Sequence, residues 1–184
     1  MTELESVVPA LAEALAKRGY ESLTPVQKAV LAPELAGRDA LVSAQTGSGK
    51  TVAFGLTIAP DLLQGKDRFG HSDKPLALAI APTRELAMQV KKELEWLYAG
   101  TGAKIASCVG GMDIRSERRA LSDGAHIVVG TPGRLCDHIK RNSLQLQGLK
   151  AVILDEADEM LDLGFREELE FILETSPEDR RTLM

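Results

Sequence analysis

From residue 40 onward the chain alternates short aliphatic and β-branched runs with longer stretches in which apolar positions recur at helical spacing. That alternation is the mark of β-α units closing into a parallel sheet covered by helices, so the fold class expected is α/β with three layers. The pattern predicts strands near 40–44, 76–81, 104–109, 126–130 and 151–155, with helices over 50–64, 84–99, 113–122 and 132–141. Ahead of them Val8, Leu11 and Leu15 share one helical face, and Gly19 can end that helix. The polar residues 65–75 read as a surface loop. No internal repeat or low-complexity tract interrupts the pattern.

Composition narrows this reading to one ordinary globular domain: 184 residues, 44% hydrophobic and 27% charged. The apolar runs at 76–81 and 151–154 are far too short to span a bilayer. Glu3 and Glu5 give the N-terminus the wrong charge for a signal peptide, so a cytoplasmic location without a membrane partner is expected. Cys108 and Cys136 have no second cysteine or histidine at ligand spacing, and His71, His126 and His138 form no zinc pattern with acids. Buried free thiols and no structural metal are expected. The net charge of -5 argues mildly against nucleic acid, but the acid is localised. Residues 1–154 carry 19 Lys and Arg against 16 Asp and Glu, whereas 155–184 carry 3 against 11. Glu167, Glu168, Glu170 and Glu174 read as the solvated face of a helix.

Candidate chemistry begins at Ala44-Gln45-Thr46-Gly47-Ser48-Gly49-Lys50-Thr51, between an apolar stretch and a helix-compatible one. Glycines in that place let backbone N–H groups close around phosphate oxygens, and Lys50 compensates their charge. Ala44 stands where the general phosphate-loop pattern has Gly. About a hundred residues later Asp155-Glu156-Ala157-Asp158 ends the apolar run 151–154. Thr51 and Asp155 are then the expected Mg²⁺-holding pair, the carboxylate partly through water, and Glu156 is placed to handle an attacking water. Lys50, Asp155 and Glu156 form the expected catalytic set.

Three more polar groups follow predicted strands, at the edge where open parallel sheets bind ligands. They are Pro82-Thr83-Arg84-Glu85, Gly110-Gly111 and Thr131-Pro132-Gly133-Arg134. Thr83 and Thr131 suit helix N-caps, and Pro132 suits a first helical position. Taken singly, each group reads as connection chemistry. Their shared edge and the arginines Arg84 and Arg134 suggest a track for a sugar-phosphate backbone.

These motifs, in this order, resemble those of the DEAD-box family of RNA helicases, specifically the first of its two RecA-like domains. The resemblance covers the chain from about Gly19: Gly19-Tyr20 and Thr24-Pro25-Val26-Gln27 are similar to the family's adenine-reading Q motif, followed by AQTGSGKT, PTRELA, Gly110-Gly111, TPGR and DEAD. The family's own first motif begins with Ala, as here. The resemblance implies a Q-motif region at 1–38 and a RecA-like phosphate-loop core at 39–184, binding ATP and Mg²⁺. It implies that Tyr20, Thr24 and Gln27 join the loop in holding ATP. Gln27 is chemically suited to this, since an amide offers the donor and acceptor that adenine requires. RNA contacts fall to Pro82, Thr83, Arg84, Gly110, Gly111, Thr131, Pro132, Gly133 and Arg134, through the backbone without base readout. Asp158 is implied in coupling to a second RecA-like domain.

Two departures follow from the comparison of motifs. No aromatic residue precedes Tyr20, where the family carries one that stacks on adenine, so reduced adenine affinity is expected. The chain stops at Met184, where the family continues into its Ser-Ala-Thr motif, so a poorly active fragment is expected. Two other function classes share parts of the pattern: a nucleotide-switched protein-binding module, and a DNA helicase or translocase. RNA-stimulated turnover separates the first from an RNA helicase, and preference for ribose separates the second.

Overall fold

Strands buried on both faces must be apolar at every position, and three of the segments that read that way form the middle of one sheet. In the computed structural model, which describes residues 3–44 and 47–184, these are β1 (Ala77–Ile80), β3 (Ile127–Gly130) and β4 (Ala151–Leu154). At one side lies β2 (Ile105–Cys108), which alternates between half-buried and buried. At the other lies β5 (Arg181–Leu183). The order is β2-β3-β1-β4-β5 and every pairing is parallel.

Successive strand residues point to opposite faces, and the sheet therefore divides two cores. Ala77, Ala79, Ile127, Val129 and Ile153 pack with α1 (Pro9–Lys17), α3 (Lys50–Leu63) and α4 (Arg84–Leu97). Leu78, Ile80, Val128 and Val152 pack on the other side with α5 (Ile114–Ser122), α6 (Pro132–Lys140), α7 (Ala157–Asp162) and α8 (Arg166–Thr175). Helix α2 (Pro25–Val30) packs against α3. The Tyr98 hydroxyl donates to the Gly55 carbonyl at 2.6 Å, and a Cβ at Gly55 would stand 2.6 Å from Leu97. The missing side chain lets α3 and α4 approach closely.

One expected strand is largely absent. Residues 40–44 contribute a single bridge, Ala40 to Leu183, and Leu41 is 82% exposed. The physical reason is local: β5 offers three residues at the sheet margin, and the chain must then leave the sheet to form the glycine loop. The remaining strands and helices lie within about two residues of their predicted bounds, and the three-layer arrangement is as expected. Cys108 and Cys136 are buried free thiols.

Candidate functional site

All the motif loops meet at the C-terminal edge of the sheet, and strand order sorts them. Gly110-Gly111, Thr131 to Arg134 and Pro82 to Glu85 follow the adjacent strands β2, β3 and β1, while Asp155 to Asp158 follows β4. The segment from Ala40 that leads to the glycine loop lies beyond β5. The edge is thus divided into one half with helix starts and another with the glycine loop and acids.

In the second half, Gly47, Gly49, Lys50, Thr51, Tyr20, Asp155 and Glu156 line one cleft of about 210 Å³. Gly47 and Gly49 both have φ of +84°, in the left-handed region that glycine adopts without steric cost. Gly49 is the N-cap of α3, with no side chain covering the helix amides. Its partner is Gln27. Thr24 and Gln27 form a capping box at the start of α2, with the Thr24 amide donating to Gln27 Oε1 at 3.0 Å. Gln27 Nε2 donates to the Gly49 carbonyl at 3.3 Å, and Gln27 is completely buried. A Cβ at Gly49 would meet that nitrogen at 2.6 Å, so only glycine permits the contact. Gln45 and Thr46 lie outside the described residues, and Ala44 precedes them in irregular backbone.

The cleft is rich in carboxylates. Asp155, buried at the end of β4, has its carboxyl pushed above the usual range by desolvation, with Lys50 opposing the shift and Glu156 adding to it. Glu156 is in the left-handed region, φ +55°, as the N-cap of α7. Two polar cleft residues were not anticipated from the sequence, Gln89 and Glu93 of α4. Glu93 is raised by burial first and by the charge of Asp155 second. Their spacing of four shows one helical face, but nothing local tells that this face is turned to the glycine loop. Ser48 Oγ is buried without a hydrogen-bond partner among the described residues. Tyr20 reaches the cleft from the end of α1; its ring lies 6.0 Å from that of Trp96, on which Arg18 rests at 4.8 Å. Asp158 is exposed and makes no ion pair among the described residues.

Arg84 and Arg134, alike in the sequence, differ in the structure. Arg84 is exposed at the first position of α4, below the Thr83 cap, whose hydroxyl accepts from the Leu86 amide at 3.2 Å. It lies across Gly111, where a Cβ would be 3.0 Å from Arg84 Nη1, and donates to Met112 Sδ at 3.3 Å. Arg134 is only 16% exposed and donates to Glu117 Oε1 at 3.1 Å. The same carboxylate accepts from the Val109 amide at 2.8 Å and pairs with His138 Nε2 at 2.9 Å. Thr131 occupies the N-cap of α6 as expected, but its hydroxyl makes no capping bond, and Pro132 takes the first helical position. Gly110 and Gly133 are exposed, whereas Pro82 and Pro132 are buried.

Glu117 was not among the residues expected to matter. It brings Cys108 and His138 together, their ligand atoms and its own lying within 4.8 Å, although no histidine–acid grouping was visible in the spacing. Burial pushes the Cys108 thiol well above its ordinary range, with Glu117 adding to the shift and Arg134 opposing it. The cluster is a hydrogen-bonded ion pair joining α5, α6 and the end of β2, with a neutral thiol beside it.

The chain's similarity to known proteins lies in its family and fold. A family model described as DEAD/DEAH box helicase matches residues 24–184. The chain is 44% identical over 179 residues to "DEAD-box ATP-dependent RNA helicase 53" of Oryza sativa subsp. japonica, covering 97% of this chain and 29% of that protein. It is 46% identical over 183 residues to "DEAD-box ATP-dependent RNA helicase CshA" of Streptococcus pneumoniae, covering 99% of this chain and 33% of that one. A crystal structure of a DEAD box protein from the hyperthermophile Methanococcus jannaschii superposes with a TM-score of 0.83 at 38% identity, over 96% of this chain and 47% of the other. The chain spans about a third of the length of the curated relatives it matches.

Proposed function

The chain belongs to the DEAD/DEAH box helicase family, and from that premise we propose that it is the ATP-binding half of an ATP-dependent RNA helicase that remodels RNA. The observation that carries the proposal is the charge arrangement in the cleft: Asp155, Glu156 and Glu93 line it together with one cation, Lys50, beside Gly47 and Gly49, and the neighbouring Ser48 hydroxyl has no partner among the described residues. Three carboxylates with one ammonium suit a site completed by a divalent cation.

The residues fit Mg²⁺-ATP. Gly47, Ser48, Gly49 and Lys50 would hold the phosphates, and Thr51 with Asp155 would hold Mg²⁺, the carboxylate partly through water. Bound Mg²⁺ neutralises charge on the phosphate oxygens and so favours displacement at phosphorus. Glu156 is the group that accepts or orients the proton of the attacking water. Gln27 keeps one N–H and one lone pair after its two internal bonds, the combination that adenine needs. Because Gln27 is completely buried against the Gly49 carbonyl, nucleotide has to uncover it, and Tyr20 lines the cleft that Gly49 also lines.

RNA is the proposed partner of the other half-edge, through Thr83, Arg84, Gly110, Gly111 and the amides that start α6, with Arg134 as a strut behind them. The greater length of the relatives is the basis for proposing a second RecA-like domain, which would supply the arginines for turnover and meet Asp158. No described helix is long and apolar enough to cross a membrane; the cytoplasm is the compartment proposed. Calorimetric titration with ADP and GDP tests the nucleotide reading. ADP should bind more tightly, Gln27→Ala should remove the preference, and Lys50→Ala should weaken both at least tenfold, about 1.4 kcal/mol. Equal affinities unaffected by Gln27→Ala would refute adenine recognition.

A further inference from the structure

The sequence of α5, Ile-Arg-Ser-Glu-Arg-Arg-Ala-Leu-Ser, contains one acid, and that acid is turned inward: Glu117 is 6% exposed and saturated by Val109, Arg134 and His138. Its neighbours Arg115, Arg118 and Arg119 are exposed. They line an open cleft of about 530 Å³ with the loop after α6, which adds Arg141 and Asn142. None of the four guanidinium groups makes an ion pair among the described residues. The one acid in the lining, Asp73, is paired with His71 at 2.7 Å. On a chain of net charge -5, four arginines without an ion pair among the described residues form a distinct positive site in one concavity.

We infer that this cleft binds the phosphodiester backbone of single-stranded RNA, extending the RNA edge down the side of the domain. The inference rests on the proposed RNA reading of that edge, and continuity supports it. Helix α5 is capped by Asp113, two residues after Gly111, and its nine residues span about 13 Å, with Arg115 in the first turn and Arg118 and Arg119 in the second, on the way from the edge to the cleft that Arg141 also lines. The chemistry selects phosphate over protein. The lining offers guanidinium, amide and hydroxyl donors and no aromatic ring, so it can neutralise a backbone without supplying an aromatic anchor for a folded partner or a platform for stacking bases.

The experiment uses oligouridylates of about 5 and about 15 nucleotides, within the range of single-strand site sizes. Their binding is measured by fluorescence anisotropy at several salt concentrations, for the parent, Arg84→Ala and the double variant Arg118→Ala/Arg119→Ala. Both arginines of the double variant are exposed, and circular dichroism checks that it keeps its fold. Losing two phosphate contacts should flatten the log-log salt slope of the longer RNA by about 1.4, so that its affinity falls roughly sevenfold less between 50 and 200 mM salt. The shorter RNA should be unaffected, whereas Arg84→Ala should weaken both lengths. An unchanged slope for the longer RNA, with Arg84→Ala still weakening both, overturns the cleft and leaves the edge intact. A flattened slope with Arg84→Ala silent supports the cleft and removes the edge, and no binding of either RNA overturns both. Poly-L-glutamate is the competing probe: tighter arginine-dependent binding of it than of the longer RNA would give the cleft to an acidic protein and overturn the proposal.

Discussion

Glu117→Ala should be among the most damaging single substitutions outside the nucleotide cleft, although the carboxylate touches no proposed ligand. The side chain is 6% exposed and accepts three hydrogen bonds, at 2.8 Å from Val109, 3.1 Å from Arg134 and 2.9 Å from His138. Removing one partner of a buried ion pair costs about 3–5 kcal/mol, because the remaining charge stays buried without compensation. Orphaning the Val109 amide costs a further ~1–3 kcal/mol by itself. The two penalties overlap, since Arg134 keeps some access to water, so a loss of about 4 kcal/mol is expected. In a domain of this size that lowers Tm by roughly 8–16 °C. Glu117→Gln keeps the shape and an acceptor for Val109 but sets an amide N–H₂ toward Arg134, so about 1–2 kcal/mol should be lost. Thermal and urea unfolding of both variants give the numbers, and Arg134→Ala completes a double-mutant cycle. With Glu117 already replaced, loss of Arg134 should cost little. A drop below about 1 kcal/mol for Glu117→Ala, or additive costs in the cycle, would refute the strut.

The other predictions concern the nucleotide cleft. In a full-length protein, Glu156→Gln should reduce phosphate release by roughly 10²–10⁴-fold while leaving ATP affinity nearly unchanged; equal losses in both would make Glu156 a binding residue. Asp155→Asn should stabilise the nucleotide-free chain at neutral pH and abolish Mg²⁺-dependent nucleotide binding. The sign follows from the raised carboxyl: the unfolded chain ionises first as pH rises, so stability is lost across that window and stays lower above it. The advantage of the Asn variant should therefore vanish below the usual carboxylate range, about pH 3.9. A lower Tm than the parent at neutral pH would contradict it.

What was legible in the sequence was what is local or doubly buried. Strands β1, β3 and β4 announce themselves because burial on both faces leaves no polar position, and the glycine loop because its residues are contiguous. Strand β5 and the 40–44 segment sit at a sheet margin where three residues suffice for pairing, too few to carry a period. Glu117 was illegible for a different reason. Its partners lie 8, 17 and 21 residues away, and among neighbouring arginines it reads as one member of a solvated surface pattern. For the same reason Arg134 looked equivalent to Arg84, since the sequence shows that an arginine follows a helix start but not which carboxylate waits behind it.

Near the end of the chain, Arg181 is 5% exposed, yet its guanidinium donates to the carbonyls of Arg38, Thr57 and Leu35 and pairs with Asp61. Just beyond it, Thr182 accepts from the Ala40 amide and Met184 exchanges backbone hydrogen bonds with Ala40 and Val42, on the way to the glycine loop. In mechanical terms, β5 is a linkage arm for the segment that enters the glycine loop: displacement along it is transmitted through the bonds at Ala40 and Val42, while Arg181 clamps the arm to α3 at its base. A neighbour that engaged this margin of the sheet would thereby have leverage on the segment that leads into the glycine loop without touching the loop itself.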